Sequence, residues 1–191
     1  MTISNQLTLS RFLITPFIAL FIFIDVPYHY YIAIGLYIAG CITDLLDGYF
    51  ARKLNQVSNL GIYLDPMADK IFGYTMVMVL LYLNVFPLWV TIFIFIRDLA
   101  VDTFLSYALM HKIFIKATYP GKYKSLFLNL AVITGILAVS VKNGNWFFGL
   151  DYANLFNTTY FLLIICFLVG FIGSTSLMQN TYKQITSDFK N

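Results

Sequence analysis

Residues 44–69 read DLLDGYFARKLNQVSNLGIYLDPMAD, beginning at Asp44 and ending at Asp69. The segment joins one apolar stretch, which runs back to Tyr30, to another, which runs on to Leu83. Each flank is long enough to cross a bilayer, which takes about 20 apolar residues as a helix. The polar centre, Ala51–Leu60, is short, so the two helices form an antiparallel hairpin. The acids that close the first helix and those that open the second then converge on one surface. A spacing of three puts Asp44 and Asp47 on one helical face, and a spacing of four does the same for Asp65 and Asp69.

The rest of the chain repeats the apolar pattern. Its 191 residues are 60% hydrophobic, 18% aromatic and 11% charged, where a soluble domain is about 25% charged. The mean hydropathy is +0.78. Disordered and fibrous classes are excluded. A net charge of +3 is too small for a phosphate-neutralising surface, so no nucleic-acid partner is expected. Six stretches read as membrane spans: Leu9–Ile24, Tyr30–Phe50, Gly61–Leu83, Pro87–Met110, Ser125–Val141 and Tyr152–Met178. The expected fold is an all-α membrane protein of six transmembrane helices, with residues 1–191 forming one domain. The first span lacks the basic start and cleavage site of a signal peptide, so it is kept in the mature protein.

Basic residues orient the spans. With the N-terminus inside, Arg11, Arg52, Lys53, Lys112, Lys116, Lys122, Lys124, Lys183 and Lys190 fall on the cytoplasmic side, against Lys142 opposite. Both termini are therefore expected in the cytoplasm. Cys41 and Cys166 read as small buried hydrophobes, with no disulfide or zinc spacing. His29 and His111 stand alone near span ends and read as interfacial.

All nine acidic residues are aspartates, and six sit in or at the mouths of helices: Asp44, Asp47, Asp65, Asp69, Asp98 and Asp102. A carboxylate inside the membrane costs about 2.5–3.5 kcal/mol on insertion scales and usually faces a cavity or a partner. Four converging carboxylates need compensation, and hard oxygen donors favour Mg²⁺, Mn²⁺ or Ca²⁺. Two divalent ions would balance the four charges and leave positions for phosphate oxygens. Helix capping with salt bridges to Arg52, Lys53 and Lys70 is the structural alternative, which accounts for one pair of aspartates better than for two. An ion-coupled transporter would instead place its carboxylates near mid-membrane and show an internal repeat; neither is visible. A prenyl-diphosphate enzyme also uses paired aspartates, but does not need Gly48, Ala51, Arg52 and Gly61 at this spacing.

Those fixed positions resemble the signature of the CDP-alcohol phosphatidyltransferase family, D-x2-D-G-x2-A-R-x8-G-x3-D-x3-D, which this chain matches from Asp44 through Asp69. The N-terminal Asn5, Thr8 and Arg11, and the run Leu64–Lys70, resemble its phosphatidylglycerophosphate synthase branch. The resemblance implies a six-helix bundle, a homodimer and an integral membrane protein, with the bacterial plasma membrane inferred as its place and the active site at the cytoplasmic face. It implies transfer from CDP-diacylglycerol to a small alcohol with release of CMP. By it, Asp44, Asp47, Asp65 and Asp69 would hold two divalent cations, Mg²⁺ or Mn²⁺, and Asp69 would also serve as general base. Asn5, Thr8, Gly48, Ala51, Arg52, Ser58 and Gly61 would lie against the CDP-lipid.

The acceptor is read from cations. Glycerol 3-phosphate brings a second phosphate, and Arg11, Arg97, Lys122 and Lys124 are the expected contacts. The segment Gly121–Ser125 resembles the G-K-x-K-T element of relatives that use glycerol phosphate. Three positions depart from them: Asp98 where Glu is usual, Leu105 where a second Arg is usual, and Ser125 for Thr. Inositol phosphate, inositol, serine and choline are the alternative acceptors. Membrane lipids complete the expected partners.

Overall fold

The computed structural model describes residues 3–24, 26–53, 59–110, 119–144 and 149–188, with side chains over 8–24, 26–44, 67–108, 123–144 and 149–179. All regular structure among them is helical. The six helices are α1 (Ile3–Phe23), α2 (His29–Lys53), α3 (Asn59–Tyr82), α4 (Leu88–Met110), α5 (Tyr119–Lys142) and α6 (Tyr152–Asp188). They fall on the six expected apolar stretches. Among the described residues two segments, Tyr123–Lys142 and Tyr152–Gln179, are long and apolar enough to cross a membrane by length and composition. α4 carries Arg97, Asp98 and Asp102 within its apolar length.

Local chemistry sets several ends. α3 stops where Asn84 adopts a left-handed φ of 58°. There the Val85 N–H donates to Leu80 O and the Asn84 N–H to Leu81 O, both at 3.0 Å. This paired closure satisfies carbonyls that the helix end would otherwise leave open. Pro87 follows, where it cannot extend the helix. α5 ends in the same region of backbone space at Gly144, φ 83°, where the absence of a Cβ removes the steric cost. Pro120 occupies the first turn of α5, the one place where its missing N–H is harmless.

The chain divides into two compact units. The first comprises Met1–Val85 with Val132–Phe156, hence α1, α2, α3, the second half of α5 and the start of α6. α1 packs on both α2 and α3. Phe23 meets Tyr82 edge-on at the C-terminal ends of α1 and α3, so these two helices run parallel. α2 runs against them. Its seam with α3 is built from a stacked pair, Tyr37 and Phe72, with ring centroids 4.9 Å apart, and from Gly40. A Cβ on Gly40 would lie 2.6 Å from the Phe72 ring, so glycine is what admits that ring to the seam. Ile18, Ala33, Met76, Leu80, Val132 and Ile136 are among the side chains buried in its interior. At the other end of this unit His29 Nδ1 lies 3.0 Å from Phe21 O, and Asn143 donates to Tyr30 Oη.

The second unit comprises Phe86–Ala131 with Asn157–Asn191. Within it Trp89 meets Tyr160, and Phe93 meets Phe167 at 5.9 Å. Partner numbers rise together along both helices, so α4 and α6 run parallel. Cys41 and Cys166 are free thiols; Cys166 is buried, as expected from its apolar setting, whereas Cys41 is only partly buried. His111 lies outside the described residues. Large apolar side chains such as Leu13, Phe17, Ile96, Phe171 and Ile172 stand on exposed faces, where a water-soluble protein carries polar groups.

Candidate active site

The α2–α3 seam aims the acids. Tyr37, Gly40 and Asp44 recur at three- and four-residue spacing along one face of α2, and Asp69 precedes Phe72 by one turn of α3. The packing that stacks Tyr37 on Phe72 therefore carries Asp44 and Asp69 to the same end. They meet there through Arg11 of α1. Its Nη1 donates to Asp44 Oδ1 at 2.5 Å and also to Asp69 Oδ1. Thr15 Oγ1 donates to Arg11 O one turn on, and Thr8, one turn earlier, is buried.

The burial is unequal. The Arg11 side chain is 1% exposed, while those of Asp44 and Asp69 are 44% and 51% exposed. A guanidinium removed from water without an anion costs several kcal/mol, so Arg11 depends on the two carboxylates. The carboxylates, half in solvent, depend on it less. The site is thus closed beneath by a cation and open above.

Whether these groups fit divalent ions rests on donor chemistry and spacing. Two hydrogen bonds of about 3 Å to one nitrogen place the two acceptor oxygens within about 6 Å of each other. Two oxygens on one Mg²⁺ or Ca²⁺, each about 2.0–2.6 Å from it, are at most about 5 Å apart. The fit is good: hard oxygen donors lie near bridging distance around a point already occupied by positive charge. Cys41, one turn before Asp44, does not complete a group of three metal-ligating side chains with them among the described residues. The side chains of Asp47 and Asp65, the other two expected ligands, lie outside those residues. Their backbones stand in the last turns of α2 and the first turns of α3.

Asn5, Gly48, Ala51, Arg52, Gly61 and Lys122 are in the same position, placed on helices but with side chains outside the described residues, and Ser58 lies outside them altogether. Arg11 was expected among the acceptor contacts; the structure places it against Asp44 and Asp69. The signal for that pairing was present, since an arginine within an apolar helix needs an anion. Its partners lie 33 and 58 residues away and could not be named from spacing.

Arg97 and Lys124 meet within the second unit. Arg97 Nη1 donates to Asp98 Oδ1 at 2.7 Å, and Lys124 Nζ donates to Asp98 Oδ2. Arg97 Nε also donates to Gly170 O at 3.0 Å, which ties the fork to α6. All three side chains are largely buried. Two cations share one carboxylate. Leu105 stands two turns beyond Asp98 on α4, where it supplies no charge.

The family model for CDP-alcohol phosphatidyltransferases matches residues 1–172. The chain belongs to that family and is an enzyme of its phosphatidyltransferase class. It is 32% identical over 142 residues to the CDP-diacylglycerol–glycerol-3-phosphate 3-phosphatidyltransferase of Aquifex aeolicus, covering 73% of this chain and 78% of that one. It is 32% identical over 141 residues to the probable phosphatidylglycerophosphate synthase of Mycobacterium tuberculosis, covering 72% and 67%. A probable CMP-forming cardiolipin synthase of Drosophila melanogaster is 38% identical over 99 residues, 51% of this chain and 30% of that one.

Proposed function

We propose that this enzyme transfers the phosphatidyl group of CDP-diacylglycerol to glycerol 3-phosphate, releasing CMP and giving phosphatidylglycerophosphate, in a step that requires two divalent cations. The observation that carries the reading is the meeting of Asp44 and Asp69, from the two arms of the family signature, at one end of the α2–α3 seam. Names of the bacterial relatives support the acceptor. The apolar outer faces support six membrane spans, and the Lys/Arg bias favours the N-terminus, the C-terminus and the site on the cytoplasmic side; a homodimer in the bacterial plasma membrane belongs to the same proposal.

Bound at Asp44, Asp47, Asp65 and Asp69, Mg²⁺ or Mn²⁺ would supply charge neutralisation on the diphosphate. The chain's own residues do the rest. Asp69, half exposed, accepts the proton of the acceptor hydroxyl as that oxygen bonds to phosphorus and the bond from phosphorus to CMP breaks. No covalent nucleophile is needed, because such transfer is driven by positioning and electrostatics. Asn5, Thr8, Gly48, Ala51, Arg52, Ser58 and Gly61 hold the CDP-lipid. Arg97, Lys122 and Lys124 hold the acceptor's phosphate.

A second reading keeps the chemistry and changes the alcohol. Leu105 in place of an arginine, and the similarity to a cardiolipin synthase, favour it. The test is CMP release by purified protein from CDP-diacylglycerol with glycerol 3-phosphate, inositol phosphate, inositol, serine, choline or a lipid alcohol offered singly. Glycerol 3-phosphate is expected to give the product, and EDTA to stop it. Product with only another acceptor would transfer the assignment to that alcohol; turnover in EDTA would remove the metal.

A further inference from the structure

Arg11 is the largest fully buried side chain of the described residues that carries a charge, and its Nη1 donates to both Asp44 Oδ1 and Asp69 Oδ1. That nitrogen lies between Asp44 Oδ1 and Asp69 Oδ1, the region a cation shared by these two residues would occupy. A guanidinium and a divalent ion both seek carboxylate oxygens, and their charges repel at contact distance. We infer that Arg11 and the divalent ion are alternative partners of Asp44 and Asp69: the guanidinium holds the two carboxylates together when no ion is bound, and ion binding displaces it from their Oδ1 atoms. This rests on the metal-dependent reading above and assigns Arg11 to the metal step, not to acceptor recognition.

The burial makes the exchange one-sided. Arg11 approaches from the packed interior, whereas both carboxylates are about half open to solvent. An ion can therefore arrive from the solvent side without unpacking α1. Anchored on α1 beneath the acids, the released charge remains close to the incoming diphosphate. Arginine thus limits how tightly the ion binds before substrate is present.

Mn²⁺ binding read from the free-ion spin-resonance signal tests this without any turnover. The purified full chain is compared with Arg11→Met, which keeps an unbranched apolar stem, and Arg11→Lys, which keeps the charge. Arg11→Met is expected to bind Mn²⁺ roughly tenfold more tightly than the natural protein, from loss of a competing charge at contact range. Arg11→Lys is expected to stay within about threefold of it, since a compact ammonium still competes. Melting in EDTA and in saturating Mn²⁺ gives a second readout: the Mn²⁺-induced rise should be larger in Arg11→Met. If that variant folds only with Mn²⁺, the exchange is supported, because the ion then substitutes for the guanidinium. Equal or weaker Mn²⁺ affinity in Arg11→Met, or failure to fold even in saturating Mn²⁺, overturns it. Absence of Mn²⁺ binding by the natural protein would instead overturn the metal-dependent reading itself.

Discussion

Gly40→Ala adds one methyl group at the seam that aims the active site. The new Cβ would lie 2.6 Å from two atoms of the Phe72 ring. Ordinary carbon contacts are about 3.5–4.0 Å, so a displacement of about 1 Å is required. The ring has little freedom to give way, being buried and stacked on Tyr37 with the planes 7° apart. Part of the displacement must therefore fall on the separation of α2 and α3. Overpacking of this kind costs about 1–3 kcal/mol. The larger consequence is catalytic. Asp44 lies one turn from Gly40 and Asp69 one turn from Phe72, and a misplacement of about 1 Å can cost on the order of 100-fold in rate. Thermal unfolding in detergent and CMP release from CDP-diacylglycerol measure the two effects on one preparation. Gly40→Ala is expected to melt lower and to lose about 10- to 100-fold in turnover. Phe72→Leu in the same chain removes the ring edge and is expected to restore part of both. Natural stability and turnover in Gly40→Ala, or additive losses in the double variant, would refute the seam as the device that sets the carboxylate spacing.

Two further outcomes follow from other contacts. Asp98→Asn removes the anion shared by Arg97 and Lys124 and leaves two cations facing each other, largely buried; unfolding should show a loss of about 3 kcal/mol. In protein that remains folded, the KM for glycerol 3-phosphate should change more than that for CDP-diacylglycerol. Gly170→Ala is the contrasting substitution to Gly40→Ala, since its Cβ would meet Lys124 and Arg97 only at 3.5 and 3.7 Å. Those are ordinary contacts, so stability should change by no more than about 1 kcal/mol, with a small gain from helix propensity.

Helix existence was legible because an apolar run of membrane length permits little else. Helix ends were less so. α1 begins at Ile3 where hydropathy starts at Leu9, and α6 continues to Asp188 where hydropathy stops at Met178. Polar residues such as Gln179 and Lys183 carry on a helix as readily as apolar ones, yet weigh nothing in an apolar count. At the site, the facing of Asp44 and Asp69 followed from helical spacing and a short hairpin. Their partner did not: Arg11 reaches them from another helix, and its basic character alone suited an acceptor phosphate equally well. Arg97 and Asp98 could be paired as neighbours, but Lys124 joins them only through the packing of the second unit. Gly40 gave no signal, because its meaning lies in the ring opposite.

Replacing Asp69 by asparagine tests the centre most directly. The side chain keeps its shape and loses its charge and its capacity to take a proton. CDP-lipid binding and glycerol 3-phosphate-dependent CMP release are measured on the same purified Asp69→Asn protein. CDP-lipid binding is expected to be retained and turnover to fall at least about 100-fold, the scale of a lost general base. Near-natural turnover in that protein would contradict that role for Asp69.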